Sequence, residues 1–178
     1  MSRVQRSKVL KPSWDSLVAA MLFALALAVF LRAPIHDVTD SAYSMLASES
    51  LLKHHTFTLD QYSLPRNEPK HYVDYVSNGR LYTIELANDH LYYFFPPGNL
   101  VLSVPFVAVF DAFGISAANP DGTYNPEGEE KIESLLAAFL MAGLTVIFFY
   151  TSRLILSLTW SIVIALSGAV GTQIFSTA

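Results

Sequence analysis

The chain contains no cysteine. A disulfide framework, thiol catalysis and cysteine-based metal centres are therefore excluded, and redox usage says nothing of compartment. Charge is also scarce: only 15% of the 178 residues are Asp, Glu, Lys or Arg, against 52% hydrophobic. With a mean hydropathy of +0.38, that composition is too apolar for an ordinary soluble domain and indicates a membrane protein. The net charge of −4 gives no electrostatic footprint for nucleic acid. There is no phosphate-binding glycine loop and no GxSxG elbow.

The few charges are segregated. Arg3, Arg6, Lys8 and Lys11 crowd the N-terminus without an acid among them, and the acids lie mostly between Asp37 and Glu133. Ser16 to Leu31 is uncharged and is bounded by Trp14 and Arg32. With those interfacial ends it approaches the ~20 residues of a membrane span. The basic tail (1–13) predicts a cytoplasmic N-terminus by the positive-inside rule. A cleaved signal peptide shares a basic start and an apolar core. Asp15 interrupts that pattern, however, and Leu31-Arg32-Ala33 is a poor small-x-small cleavage site. An uncleaved first transmembrane helix over 14–33 is the expectation.

Two further uncharged runs predict spans over 132–153 and 157–176. Arg153 lies between them, and Ser167, Gly168, Gly171 and Thr172 offer a small-residue surface for close packing in lipid. The fold class expected is a mainly α integral membrane protein. It has three transmembrane helices and an external loop domain (34–131) with juxtamembrane helices and a small β-meander. The chain stops at the end of an apolar run, which suggests part of a longer membrane protein.

Within the 34–131 region, Asp40 opens a segment of helical spacing over 40–54. Tyr43, Leu46, Ala47 and Leu51 lie on one side, with Ser44, Ser48 and Glu49 on the more polar side. A meander is expected over 71–95, with Asn78-Gly79 as a hairpin turn and Asn88-Asp89 as a second. The apolar run 99–113 contains Pro105 and Asp111 and is short for a span, so it reads as an interfacial helix. Ala118 to Lys131, rich in Asn, Pro, Gly and Glu, reads as a solvated loop.

Two readings of Asp40 stand side by side. Asp is a preferred N-cap. An ionisable residue close beyond a span also invites a functional role, and Asp37 shares that position. His36, Asp37 and Asp40 together offer nitrogen and oxygen ligands of the kind that divalent metals accept. The run Tyr92, Tyr93, Phe94, Phe95 reads as an interface belt or packing face.

Thr39-Asp40-Ser-Ala-Tyr43, the helix ending Ser50-Leu-Leu-Lys-His-His-Thr-Phe57, Phe94-Phe-Pro-Pro-Gly98 and Pro105-Phe106, followed by paired spans, occur in an informative order. That order resembles the N-terminal portion of the GT-C superfamily of polytopic glycosyltransferases, which includes the protein O-mannosyltransferases and the lipid A aminoarabinose transferase. The Asp-Glu or Asp-Asp pair frequent in that family is Asp40-Ser41 here. The resemblance implies transfer of a sugar from a polyprenyl-phosphate donor at the external face of the plasma or inner membrane. Asp40 would be the leading catalytic carboxylate and Asp37 the second. The implied partners are membrane lipid, the lipid-linked donor and further membrane subunits. Lys53, Arg66, Lys70 and Arg80 are the candidates for the donor phosphate. The rival reading is a non-catalytic membrane protein whose external domain binds a partner or lipid.

Because the chain has no cysteine of its own, single cysteines report topology directly. Asn78→Cys and Asp121→Cys are expected to react with an impermeant thiol reagent from outside, and Ser2→Cys only after permeabilisation. Protection of Asp121→Cys in intact cells would mean that 99–113 crosses the membrane.

Overall fold

The computed structural model describes residues 14–33, 41–64 and 83–170. The fold is mainly helical, with one two-stranded sheet. Its elements are α1 (Trp14–Phe30), α2 (Ser44–His54), β1 (Ile84–Ala87), β2 (His90–Tyr93), α3 (Gly98–Ala112), α4 (Pro126–Arg153) and α5 (Leu158–Val170). The chain divides into two compact units: residues 1–34 with 137–178, and residues 35–136.

In the first unit, α1 buries Ala19, Leu22, Ala26 and Phe30, a three-and-four spacing that forms a single stripe. Its partners are Ala138 and Ala142 of α4 and Ala165 and Ala169 of α5, with Phe149 filling the remaining volume. Alanine on all three helices permits close backbone approach. A Cβ on Gly168 would stand 2.9 Å from the Phe148 ring. Thr145 and Ser161 are buried, and each hydroxyl donates to a carbonyl one turn back, on Met141 and Ser157. Arg153 at the end of α4 donates to Asp15 in the first turn of α1 at 3.2 Å and to the Leu156 carbonyl at 2.9 Å. Of these helices α4, with 28 residues, is long and apolar enough to cross a bilayer. Helices α1 and α5 are apolar but shorter, at 17 and 13 residues.

The second unit packs α2 against α3 and β2. Its core joins Leu46 and Ala47 of α2, Leu59, Leu91 of β2, Leu100 and Val107 of α3, and Ile132 and Leu136 from the first turns of α4. The hairpin turns at Asn88 (φ 52°) and Asp89 (φ 64°). Positive φ at both central residues is the type I′ geometry whose twist suits two-residue hairpins. Ile84 faces Tyr93 and Ala87 faces His90 across the ladder. Thr58 bridges to Tyr92, and the Leu59 amide donates to the Leu91 carbonyl at 2.7 Å, so this segment extends the sheet beside β2. The Asn78-Gly79 turn and the rest of the meander before Thr83 lie outside the described residues. Helix α3 ends in a six-to-one bond from the Ile115 amide to the Phe110 carbonyl, with Gly114 at φ +77°.

Three local expectations need correction. Helix α2 begins at Ser44 rather than Asp40, and its N-cap is Tyr43, in left-handed conformation (φ 70°) without a side-chain cap bond. Its polar side is not exposed: Ser44, Ser48 and Glu49 are all buried. The acidic loop is shorter than expected, because α4 starts at Pro126 and Glu129 is buried.

The hairpin geometry has a direct test. Asp89→Val puts a β-branched residue at positive φ and is expected to weaken the hairpin by about 1–3 kcal/mol. Asp89→Gly should leave it intact. Hydrogen exchange at the β1 and β2 amides measures both.

Candidate functional site

The described part of the second unit is organised by two buried carboxylates. Glu129 sits in the first turn of α4 and is 2% exposed. Asn125 places it there: its side-chain oxygen accepts from the Gly128 amide at 3.1 Å, and Pro126 occupies the first helical position. Gly128 is required by close approach, since a Cβ there would collide with the Ser116 carbonyl. One Glu129 oxygen accepts from the amides of Met45 (2.7 Å) and Leu46 (3.4 Å); the other accepts from the Tyr43 amide (2.9 Å) and the Tyr124 hydroxyl. Helix N-termini leave amides unsatisfied and carry partial positive charge. A carboxylate from α4 answers both needs of α2, the role that a side-chain cap would otherwise fill. The Tyr43 and Tyr124 rings lie 4.5 Å apart and hold the strained Tyr43 between two partners. One turn along α4, Glu133 accepts from the hydroxyls of Ser41 (3.2 Å) and Ser44 (3.1 Å). The segment Ser41–Leu46 is thus fastened to α4 at five residues.

Glu49, 1% exposed, is the second centre. It accepts from the Ser116 hydroxyl (2.8 Å), the Ala117 amide (2.9 Å) and the Lys53 ammonium (2.7 Å). Lys53 also pairs with Asp111 of α3 at 2.7 Å. Partial burial works to lower the Lys53 pKa, but the bonds and charges of Asp111 and Glu49 outweigh it, and the pKa is raised. With two carboxylates already on it, Lys53 has its charge compensated and is a poor phosphate ligand. The Tyr62 hydroxyl is buried without a partner among the described residues. Burial raises its pKa, and the charges of Glu49 and Asp111 add to the effect. His90 bonds Asp60 at 2.6 Å, and Asp60 also accepts from the Leu91 amide at 3.0 Å.

Asp37, Asp40 and His36 lie outside the described residues, as do Arg66, Lys70 and Arg80. Among the described residues no group of three or more His, Asp or Glu is placed to hold a metal ion. Tyr93 and Phe94 each approach Phe95 at 5.6 Å, a packed aromatic cluster. The residues that sequence reasoning missed are Glu129, Glu133 and Glu49. A signal for the first existed: Asn125-Pro126 with acids at 127 and 129 is a helix start. No protein-family model, curated protein or solved structure matches this chain.

Burial raises the Glu129 pKa, against the opposing bonds from Tyr124 and the α2 amides. Between the ordinary Glu value and the raised folded one, the folded state therefore holds a proton that the unfolded chain releases, and over that window stability falls as pH rises. Glu129→Gln is expected to flatten that dependence. Above the window, where the ionised carboxylate accepts all four bonds, it should also lower stability by about 1–3 kcal/mol, because an amide donor then faces amide donors. Thermal unfolding in detergent across that range measures both effects.

Proposed function

We propose that this chain is a GT-C-type membrane glycosyltransferase, or a portion of one. It would take a sugar from a polyprenyl-phosphate donor at the external membrane face. In the reaction, an acceptor hydroxyl oxygen bonds to the anomeric carbon as the bond from that carbon to the phosphate oxygen breaks. Polyprenyl phosphate leaves with the electron pair, and the acceptor proton passes to a carboxylate. Asp40 is assigned as that general base, with Asp37 as its neighbour.

The observation that carries this reading is the placement of the segment directly after Asp40. Ser41 and Ser44 are fastened to Glu133, and Tyr43, Met45 and Leu46 to Glu129, which anchors the chain on the C-terminal side of the proposed base. A base needs a fixed geometry relative to the proton that it removes.

The membrane arrangement proposed has three passes, α1, α4 and α5, with residues 34–131 external and the N-terminus cytoplasmic. Its support is the Asp15–Arg153 pair, which joins the start of α1 to the end of α4, as two antiparallel passes require. The same pair offsets two charges near a span end, where an isolated one is costly.

Asp40→Asn is expected to reduce transfer from a lipid-linked sugar on the order of 10²–10⁴-fold. Because Glu129 caps α2, Asp40→Ala should unfold no more readily than Asp40→Asn. Asp37→Asn should lose less activity. The assay is transfer in membranes with expression matched. Full transfer by Asp40→Asn alongside an inactive Asp37→Asn would reassign the base. Normal transfer by both would remove the proposed chemistry from this segment.

A further inference from the structure

Helix α3 carries its polarity in the reverse sense to a helix that faces water. It buries Leu100, Ser103 and Val107 in the core of its unit. Its charged residue, Asp111, is turned the same way and pairs with Lys53 at 2.7 Å. At 100° per residue, Leu102, Phe106, Val109 and Phe113 form a separate stripe. All four are exposed, Leu102 at 73% and Phe113 at 80%. From Gly98 to Phe110 the sequence has no charge. A contiguous apolar stripe of this kind marks a docking surface.

Its neighbours identify the occupant. Leu100 and Val107 share a hydrophobic cluster with Ile132 and Leu136. Those two residues lie where α4 passes from its acidic first turns into the uncharged stretch Ser134 to Ser152. The covalent path of α4 thus holds this unit at the point where the chain enters lipid, and α3 packs beside that point. A 15-residue helix is about 22 Å long, short of the ~30 Å hydrocarbon core. Pro105 leaves the Val101 carbonyl without an amide partner within the helix. Headgroup water satisfies such a group directly, whereas in the hydrocarbon interior it needs a partner from neighbouring protein.

We propose that α3 lies in the lipid–water boundary with Leu102, Phe106, Val109 and Phe113 inserted into the acyl layer of the bilayer. The inference rests on the membrane reading above and adds which surface of the 34–131 region meets lipid.

The test uses the full chain in vesicles of phosphatidylcholine and phosphatidylglycerol, with spin labels on Leu102→Cys, Phe106→Cys or Val109→Cys. Asp121→Cys, in the exposed turn before α4, and Gly143→Cys, midway along the uncharged stretch Ser134 to Ser152, serve as references. A Cβ at Gly143 meets nothing within 4 Å. Power saturation with oxygen and with a nickel chelate gives the depth of each label. The three stripe labels are expected about 5–10 Å into the headgroup–acyl boundary. Asp121→Cys should lie in water, and Gly143→Cys near the bilayer centre, about 15 Å from either edge of the hydrocarbon. Stripe labels as open to nickel as Asp121→Cys, with Gly143→Cys deep, would overturn the proposal and leave the membrane reading standing. Stripe labels as deep as Gly143→Cys would mean that α3 crosses, which also overturns it. Stripe labels shielded from both agents would mean that a protein partner, a second copy included, covers the stripe, and the proposal would fall. Gly143→Cys open to nickel would sink the membrane reading and this proposal together.

Discussion

The second unit depends on one carboxylate meeting one helix end. Glu129 accepts hydrogen bonds from three amides at the start of α2 and from a tyrosine hydroxyl. Without it, those amides would be buried and unpaired, each at about 1–3 kcal/mol. Everything else about α2 follows from this bond set. The helix begins at Ser44 and not at the nearest Asp. Tyr43 adopts a left-handed conformation that a bulky residue avoids. The serines on the inner side of α2 are buried because local acceptors take their hydroxyls, the Ser44 carbonyl for Ser48 and Glu133 for Ser44.

Glu49, midway along α2, is a second buried carboxylate of this kind. Its bonds to Ser116 and Ala117 tie α2 to the turn after α3, and Lys53 bridges it to Asp111. Lys53 and Asp111 are each about a third exposed, so solvent screens their pair, and it is the buried Glu49 end that most needs its partners. The unit is therefore held by apolar packing on one side of α2 and by carboxylates on the other.

How much of this was legible in the sequence follows from the range of each interaction. Helix α3, the body of α2 and the Asn88-Asp89 turn have signatures within a few residues of themselves: flanking Pro-Pro-Gly, helical spacing, and a pair of residues tolerant of positive φ. The start of α4 was hidden because Asn125-Pro126 follows a run of other turn residues and belongs equally well to a loop. The burial of Glu129 and Glu49 was not legible at all. Apart from Lys53 and Tyr124, their partners stand 67 to 86 residues away, and a composition rich in acids argues for solvent exposure. The proposal of Asp37 and Asp40 as catalytic carboxylates rests on their position just beyond the first apolar run and on the order of motifs around them.

The distance between Glu129 and α2 also has a consequence in time. The Tyr43 amide waits for an acceptor that lies 86 residues further along the chain. At about 5–20 residues per second, a ribosome needs roughly 4–17 s to make that length. Through that interval α2 has left the ribosome, or is leaving it, with its amides uncapped and its serines unburied. An 11-residue helix is marginal alone in water. The unit therefore closes only when the first turn of α4 arrives and supplies the missing acceptor, and until then the α2 segment is open to chaperones and proteases.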